Sequence, residues 1–517
     1  MLFRRELVSK IRLELELWCP LCESFATSPF NSDPSALCVS FNQFPQHVTG
    51  NHYHLCIDKR SAMQKDMLGF VPRREPLEHV LMSKKQPNVM DRVAVDAFNR
   101  LSTAMGQLYQ DAYHVGDRIH QQRELVRSHL ESIVGKCEAF PPGTRVIVFG
   151  SSANGFGSPA SDLDMCLQLP PQSGLLNSED KTGALAMAQL AELLEGAGMT
   201  NVDTARLTAR IPIIKFNCAR PMAAEGEDAE MECDLSMQNP LACVNTSLLL
   251  TYSRIHPVTR VLAAIIKRWA KARDMNNPSQ HTLSTYGYIL MLLHFLTFHR
   301  RTGTGLVTPV TTPRSKNSVN DASTNMPLLP NLQWMDPGWL QTPLGTPYRE
   351  LGCLPKHVMP HPLESTAVVN TYFHRVADQG ALSALQPRFP SNDLSLSILL
   401  ASFFGYYAHQ FDYKRHVVSL HSTLGHGLTE REVKAEHHLW KVYSTNLAVE
   451  DPFETFYDVA HVLNGANFHR LRHELALAYT KIVEAALGIG EPKSGMELID
   501  WICEPVKKEE DGDSGEN

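Results

Sequence analysis

The stretch VIVFGSSANGFGSPASDLDMCL, residues 146–167, restricts this chain more than any other. The apolar run TRVIVFG at 144–150 reads as a buried strand closed by Gly150, and LDMCLQL at 163–169 reads as a second strand. Asp162 and Asp164 stand at i and i+2 of that second strand, so both carboxylates lie on one face of a sheet. Leu163 and Met165 then point the other way, into a core. Paired carboxylates repel unless a cation lies between them, so the arrangement is costly without a metal ion. A glycine-rich loop after a strand also points to phosphate, but neither a Walker lysine nor the dinucleotide glycine spacing is present.

A third acid, Asp234, sits in MECDLSM, another expected strand with the same alternation. Mg²⁺ takes one or two carboxylates plus phosphate oxygens, so Asp162, Asp164 and Asp234 are candidate ligands for Mg²⁺ or Mn²⁺. Three carboxylates can hold two such ions, one activating a hydroxyl and one stabilising a leaving pyrophosphate. Gly150 lets the backbone approach an anion, and Ser151 offers it a hydroxyl and an amide. An isolated Asp-x-Asp is more often a pair of solvated aspartates after a surface turn. The ordered set of strand, Gly-Ser turn, Asp-x-Asp and later strand-borne Asp favours the metal reading.

The 517 residues exceed the size at which one core keeps growing, so two or three domains are expected. A formal charge of −7 argues against general coating of polyanions but leaves room for a local basic groove. No apolar run approaches the roughly 18 residues of a membrane span, and YGYILMLLHFLTFH reads as a buried helix, so no membrane partner is expected. The opening MLFRRELVSKIRLELEL carries Arg4, Arg5, Lys10 and Arg12, as a transit segment would, but Glu6, Glu14 and Glu16 oppose that reading. A cytoplasmic location is therefore expected, with a mitochondrial one as the alternative. Cys166, Cys218 and Cys243 lie singly in apolar segments and read as small core residues in a reducing compartment.

The expected organisation is a Cys/His block at 15–60, a linker at 61–90 and a helical segment at 91–137 packing on a central domain. A helix-and-strand unit follows at 138–244, then a helical region at 245–490 with a Pro/Thr/Ser/Asn-rich insertion at 301–360, and a partly disordered tail at 491–517. In the first block, Cys19-x₂-Cys22 and His47-x₄-His52 have the ligand types of a Cys₂His₂ Zn²⁺ site. The 24-residue gap between Cys22 and His47 exceeds the usual ~12 of such fingers, which requires a looped-out insertion. His54 or Cys56 can replace His52, and the metal-free alternative is a Cys-containing turn beside a His-rich loop.

Further segments fall in a recognisable order: RIPIIKF, CDLSMQNPLACVNTSLL, IIKRWAKARDMNNPSQHTLSTYGYILMLLHFL, LPNLQ, LLASFFGYYAHQFDYKRHVVSL and EDPFETFYDVAHVL. With the opening stretch, they make residues 90–485 resemble the terminal nucleotidyltransferases of the DNA polymerase β superfamily. The resemblance is strongest to terminal uridylyltransferases and cytoplasmic-type poly(A) polymerases. It implies an α+β, bilobal fold, with a small mixed β-sheet palm and a mostly helical central and PAP-associated domain.

By the same resemblance, Asp162, Asp164 and Asp234 match the metal-binding triad, and Gly150 and Ser151 the triphosphate turn. Asn245 and Thr246 match residues that contact the ribose, although both would also suit a helix N-cap. Lys267 and Lys271 are four apart on one helix, so both can reach one triphosphate; a plain solvated face is the alternative. The phosphate-contacting hydroxyl falls on Ser284 or Thr285. Tyr286 matches the aromatic that stacks on the base, with a core position as its alternative. In DPFE, Asp451 and Glu454 match the acids at the base edge, and Tyr457 stands where some uridylyltransferases have a histidine.

The implied activity is two-metal transfer of UMP from UTP to the 3′-OH of single-stranded RNA, with release of pyrophosphate. AMP addition is the alternative, and a catalytically silent RNA-binding adaptor is the alternative of a different class. The resemblance also allows an RNA-processing complex as a partner.

Overall fold

The strand pair around the Gly-Ser turn forms one edge of a five-stranded sheet. In the computed structural model these are β1 (Arg145–Phe149) and β2 (Leu163–Gln168), followed by β3 (Thr200–Arg206), β4 (Ile213–Ala219) and β5 (Glu230–Met237). The sheet order is β1-β2-β5-β4-β3; β2 and β5 run parallel, and the other neighbours are antiparallel. The structure describes residues 89–506, except 210, 224–227, 492 and most of 171–181, 302–394 and 422–445. Nearer the start it describes only the short strands Glu16–Trp18, Cys38–Ser40 and Val71–Pro72. The Zn²⁺ candidates Cys19, Cys22, His47 and His52 lie outside the described residues.

One face of the sheet carries Leu163, Met165, Leu167, Ile214, Phe216, Cys233 and Leu235, all buried. The period-two alternation read from the sequence produces this face. Two helices cover it: α2 (Asp117–Val134), through Val126, Leu130 and Ile133, and α3 (Ala184–Gly196), through Met187, Leu190 and Leu194. β3, TNVDTAR, lacks that alternation because it is an exposed edge strand, and sequence reading missed it.

The helical segment expected at 91–137 divides in two. α1 (Val89–Leu108) continues into a π turn at Tyr109–Tyr113, and Gly116 then caps the start of α2. α1 places Phe98, Leu101 and Met105 in the helical core as expected, but α2 belongs to the sheet's core. This segment therefore packs on both lobes rather than on the central domain alone.

The helical lobe contains α4 (Pro240–Ile255), α5 (Pro257–Ala272) and α6 (Thr285–Phe298). It continues through α7 (Leu396–Gly405), α8 (Gly465–Ala486) and α9 (Gly495–Ile502). α4 and α5 separate at His256, because Pro257 has no N–H to continue the ladder and instead starts the next helix. α6 is buried from Gly287 to Phe298, as its uniformly apolar sequence requires. Trp269, Tyr288, Phe403 and Phe404 fill the centre, with Trp269 edge-on to Phe404 at 5.0 Å between ring centroids. Among the described residues, no helix is long and apolar enough to cross a membrane.

Candidate active site

Parallel pairing of β2 with β5 sets Asp164 directly beside Asp234 in register. Both are interior strand positions whose side chains leave the sheet on the face opposite the palm core. Asp162 is one residue ahead of β2 and exposed, so it approaches from the incoming loop rather than from the strand itself. Phe149 pairs with Asp164 across β1 and β2, which brings Gly150 against that carboxylate. At Gly150, φ is +69°, and a Cβ there would lie 2.1 Å from Asp164 Oδ2. Only glycine fits this approach.

Burial is the main cause that pushes the Asp164 carboxyl up to about 6; Asp234 and Asp162 add to it, while Lys215 and the Ser151 amide oppose it. Lys215, on β4, is the register partner of Asp234, and its Nζ lies 2.5 Å from Asp234 Oδ2. Sequence reading missed this lysine. Its place between buried Ile214 and Phe216 puts it on the acidic face, a signal that alternation alone could have supplied.

The donor set has the chemistry for a hard divalent cation: carboxylate oxygens from two adjacent strands and one loop. Burial first, and then the carboxylates of Asp234 and Asp162, hold the Asp164 carboxyl up, so a cation at this face would be favoured. Among the described residues, no three His, Cys, Asp or Glu side chains are gathered tightly enough to hold an ion by themselves.

Residues 150–162 are braced from below by Arg123, a second residue that sequence reading missed. Its buried guanidinium donates to Ser152 O at 3.2 Å, Ser158 O at 2.8 Å and Ser161 O at 3.4 Å. From above, Phe156 enters the helical core and Lys267 Nζ donates to its carbonyl at 2.8 Å. The distance between the Gly-Ser turn and Asp162 is thus set by both lobes.

A cavity of about 620 Å³ opens between Gly150 and Ser151 on one side and α4, α5, α6 and residues 451–457 on the other. That volume suits a nucleotide-sized ligand. Asn245, Thr246, Lys267, Thr285, Tyr286, Asp451, Glu454 and Tyr457 all line it. Thr246 Oγ1 accepts from Gly150 N–H at 3.0 Å and donates to Ala242 O, pinning the turn to α4. The N-cap of α4 is Asn239, so Asn245 and Thr246 stand inside the helix rather than at its cap. Lys267 is half-buried, and burial pulls its ammonium down to about 8. Lys271, one turn further, is exposed and lies outside the lining. Ser284 is also outside it and serves as N-cap of α6, accepting from Gly287 N–H at 3.2 Å.

At the far end, the Tyr286 hydroxyl donates to Asp451 Oδ2 at 2.8 Å and also pairs with Asn245 Nδ2. Asp451 is buried, and its Oδ1 accepts from the N–H groups of Phe453 and Glu454, both at 2.9 Å. The preceding Glu450 is clamped by Lys434 at 2.6 Å and Ser419 at 3.0 Å, which fixes the start of this segment.

Two family models match. Residues 101–254 match the central palm domain of mitochondrial-like poly(A) RNA polymerase, and residues 395–455 match the Cid1 family poly A polymerase model. Terminal uridylyltransferase 7 of Homo sapiens is 34% identical over 216 residues, 42% of this chain and 13% of that protein. Terminal uridylyltransferase cid1 of Schizosaccharomyces pombe is 27% identical, over 68% of this chain and 72% of its own length. Poly(A) RNA polymerase GLD2 of Mus musculus is 26% identical, over 73% and 61% respectively. The chain thus spans less than two thirds of two of these three relatives.

Among solved structures, a Cid1 poly(U) polymerase crystal structure superposes with TM-score 0.53 at 23% identity, covering 78% of this chain and 98% of that one. A cytoplasmic RNA terminal U-transferase structure gives 0.55 at 23%, covering 80% and 99%. Another Cid1 structure, with MgGTP bound, gives 0.53 at 23%, covering 77% and 98%. These likenesses show the fold. With the palm and Cid1-type modules matched in that order, the chain is similar, over these residues, to terminal uridylyltransferases and Cid1-type poly(A) polymerases.

Proposed function

We propose that this protein adds nucleoside monophosphates to the 3′-hydroxyl of single-stranded RNA, with UTP as its preferred donor and a divalent cation as cofactor. The observation that carries this reading is the in-register Asp164–Asp234 pair packed against the Gly150 turn, which itself lines a nucleotide-sized cavity. In the reaction the RNA 3′-oxygen bonds to the α-phosphorus, the bond from that phosphorus to the β-bridging oxygen breaks, and pyrophosphate leaves. Asp162, Asp164 and Asp234 would hold the cation, which supplies activation of the attacking hydroxyl and charge neutralisation on the leaving group. Ser151 and Lys267 face the triphosphate, with Lys267 providing the positive charge. The ring of Tyr286 offers a stacking surface that does not by itself choose a base.

Base choice falls to the 451–457 segment. Glu454 lines the cavity beside Asp451, and a carboxylate there accepts from the N3–H of uracil, where adenine N1 has no proton to give. One observation favours ATP instead: Tyr457 occupies the position of a histidine found in some uridylyltransferases, and an adenine amino group also satisfies an acid. The buried free thiols Cys137, Cys166, Cys218 and Cys233 suit work in the reducing cytoplasm. Extension of a single-stranded RNA with each nucleoside triphosphate separately tests the proposal. UTP should extend it best; efficient ATP use with negligible UTP use overturns the base assignment, and a silent adaptor would extend with none.

A further inference from the structure

Two thiols meet where the palm sheet passes into the helical lobe. Cys166 is on β2, two residues beyond Asp164 and on the same face of the sheet. Cys243 stands near the start of α4. The entry to α4 is tied to β2: Gln238 N–H donates to Leu167 O at 3.0 Å, and Asn239 N–H donates to the Cys166 sulfur at 2.9 Å. One turn on, Cys243 N–H donates to Asn239 O at 3.3 Å, and its thiol donates to the Cys166 sulfur. Cys166 is buried, whereas Cys243 is only half-buried, so a small solute reaches the pair from that side.

These contacts close a ring beside the candidate site. From Cys243, α4 runs less than one turn to Thr246, whose Oγ1 accepts from Gly150 N–H at 3.0 Å. Gly150 packs against the Asp164 carboxylate, and β2 leads from Asp164 back to Cys166. Of these links, the thiol contact is the one that mild oxidation converts into a covalent bond. An S–S bond of about 2.05 Å is shorter than a hydrogen bond between two thiols, so forming it draws α4 toward β2. The Gly150 turn has no room to absorb that movement, since even a Cβ there would lie 2.1 Å from Asp164 Oδ2.

We infer that Cys166 and Cys243 form a reversible oxidative modification site: a hydroperoxide converts them to a disulfide that lowers nucleotidyl transfer. One sulfur, giving up its proton, attacks a peroxide oxygen. The O–O bond breaks, a sulfenic acid forms, and the departing hydroxide takes up the proton to become water. The second sulfur then bonds to the first, the S–OH bond breaks, and hydroxide leaves as a second water with the remaining thiol proton. Two thiols and one hydrogen peroxide thus give one disulfide and two waters. A small thiol reverses the reaction, as suits a transient bond in a reducing compartment. The loss of transfer rests on the proposed function; the pairing of the two cysteines does not.

The test treats the full-length protein with hydrogen peroxide, then divides it between peptide mapping without reduction and RNA extension with UTP and Mg²⁺, before and after dithiothreitol. A peptide pair linked through Cys166 and Cys243 should appear as extension slows by about tenfold or more, the size of effect that displaced reacting groups produce. Dithiothreitol should remove the linked pair and restore the rate. Cys243→Ser, whose hydroxyl still donates to the Cys166 sulfur, should match the reduced wild type and resist peroxide. That variant keeps every other cysteine, so its inactivation at the wild-type rate overturns the inference. So does a wild-type protein that loses activity without the linked pair, or one that carries the pair at full activity. Peptide mapping needs no variant, so it decides the pairing even where Cys243→Ser folds poorly. Reduced wild-type protein that extends no RNA contradicts the proposed function instead, and the mapping still reads the pair.

Discussion

Lys215 Nζ lies 2.5 Å from Asp234 Oδ2, across two antiparallel strands where the residues are register partners. The same ammonium lowers the carboxyl of Asp164, which burial, Asp234 and Asp162 hold up to about 6. Lys215→Met should therefore move the Asp164 carboxyl above about 6 in metal-free protein, whereas Lys215→Arg should leave it near its present value. Carboxyl NMR titration reads this directly. A downward movement in Lys215→Met would contradict the charge arrangement.

Stability carries the same signature. Asp164 has a folded pKa near 6 against an ordinary value of 3.8, so the folded state binds more protons between these limits. Metal-free protein should lose stability as pH rises from about 4 to about 6, and the loss should then level off. Asp164→Asn removes this group and should flatten that part of the melting profile. A profile with the same slope in both proteins would place the effect elsewhere.

Gly150→Ala would put a methyl group 2.1 Å from Asp164 Oδ2, at a backbone φ of +69°. The strain should cost about 1–3 kcal/mol and displace the carboxylate, lowering kcat by about 100-fold or more. Thermal melting and single-turnover extension measure the two effects separately. Wild-type turnover in this variant would remove the turn from the site.

Lys267 is held down to about 8 by burial, so its ammonium is present below that pH and lost above it. The kcat/KM for nucleotide, which reports the free enzyme, should fall as pH rises through about 8. Lys267→Arg keeps its charge and should shift that limb to higher pH. An identical alkaline limb in both proteins would assign it to another group.

The legible and illegible parts of the chain divide on physical grounds. Asp164, Asp234 and Gly150 were readable because strand alternation and a Gly-Ser turn leave a local pattern. The pairing that joins Asp164 to Asp234 is long-range and leaves none. β3 was missed because an exposed edge strand has no apolar face to announce it. Arg123 looks like any arginine on an amphipathic helix until the 150–162 loop folds over it. The spacing of Lys267 and Lys271 placed both on one helix side, but the packing of α5 turns only Lys267 to the cavity. Ser284 and Thr285 stood open as alternatives, and the N-cap of α6 takes Ser284.

The most direct test of the account is extension of a 5′-labelled single-stranded RNA by the purified protein and by Asp164→Asn, each with UTP and Mg²⁺. The wild-type protein should lengthen the RNA, and the folded variant should do so at least about 1,000-fold more slowly, since Asp164 is assigned to the ion that stabilises transition-state charge. Equal extension by both proteins, or none by the wild type, would contradict it.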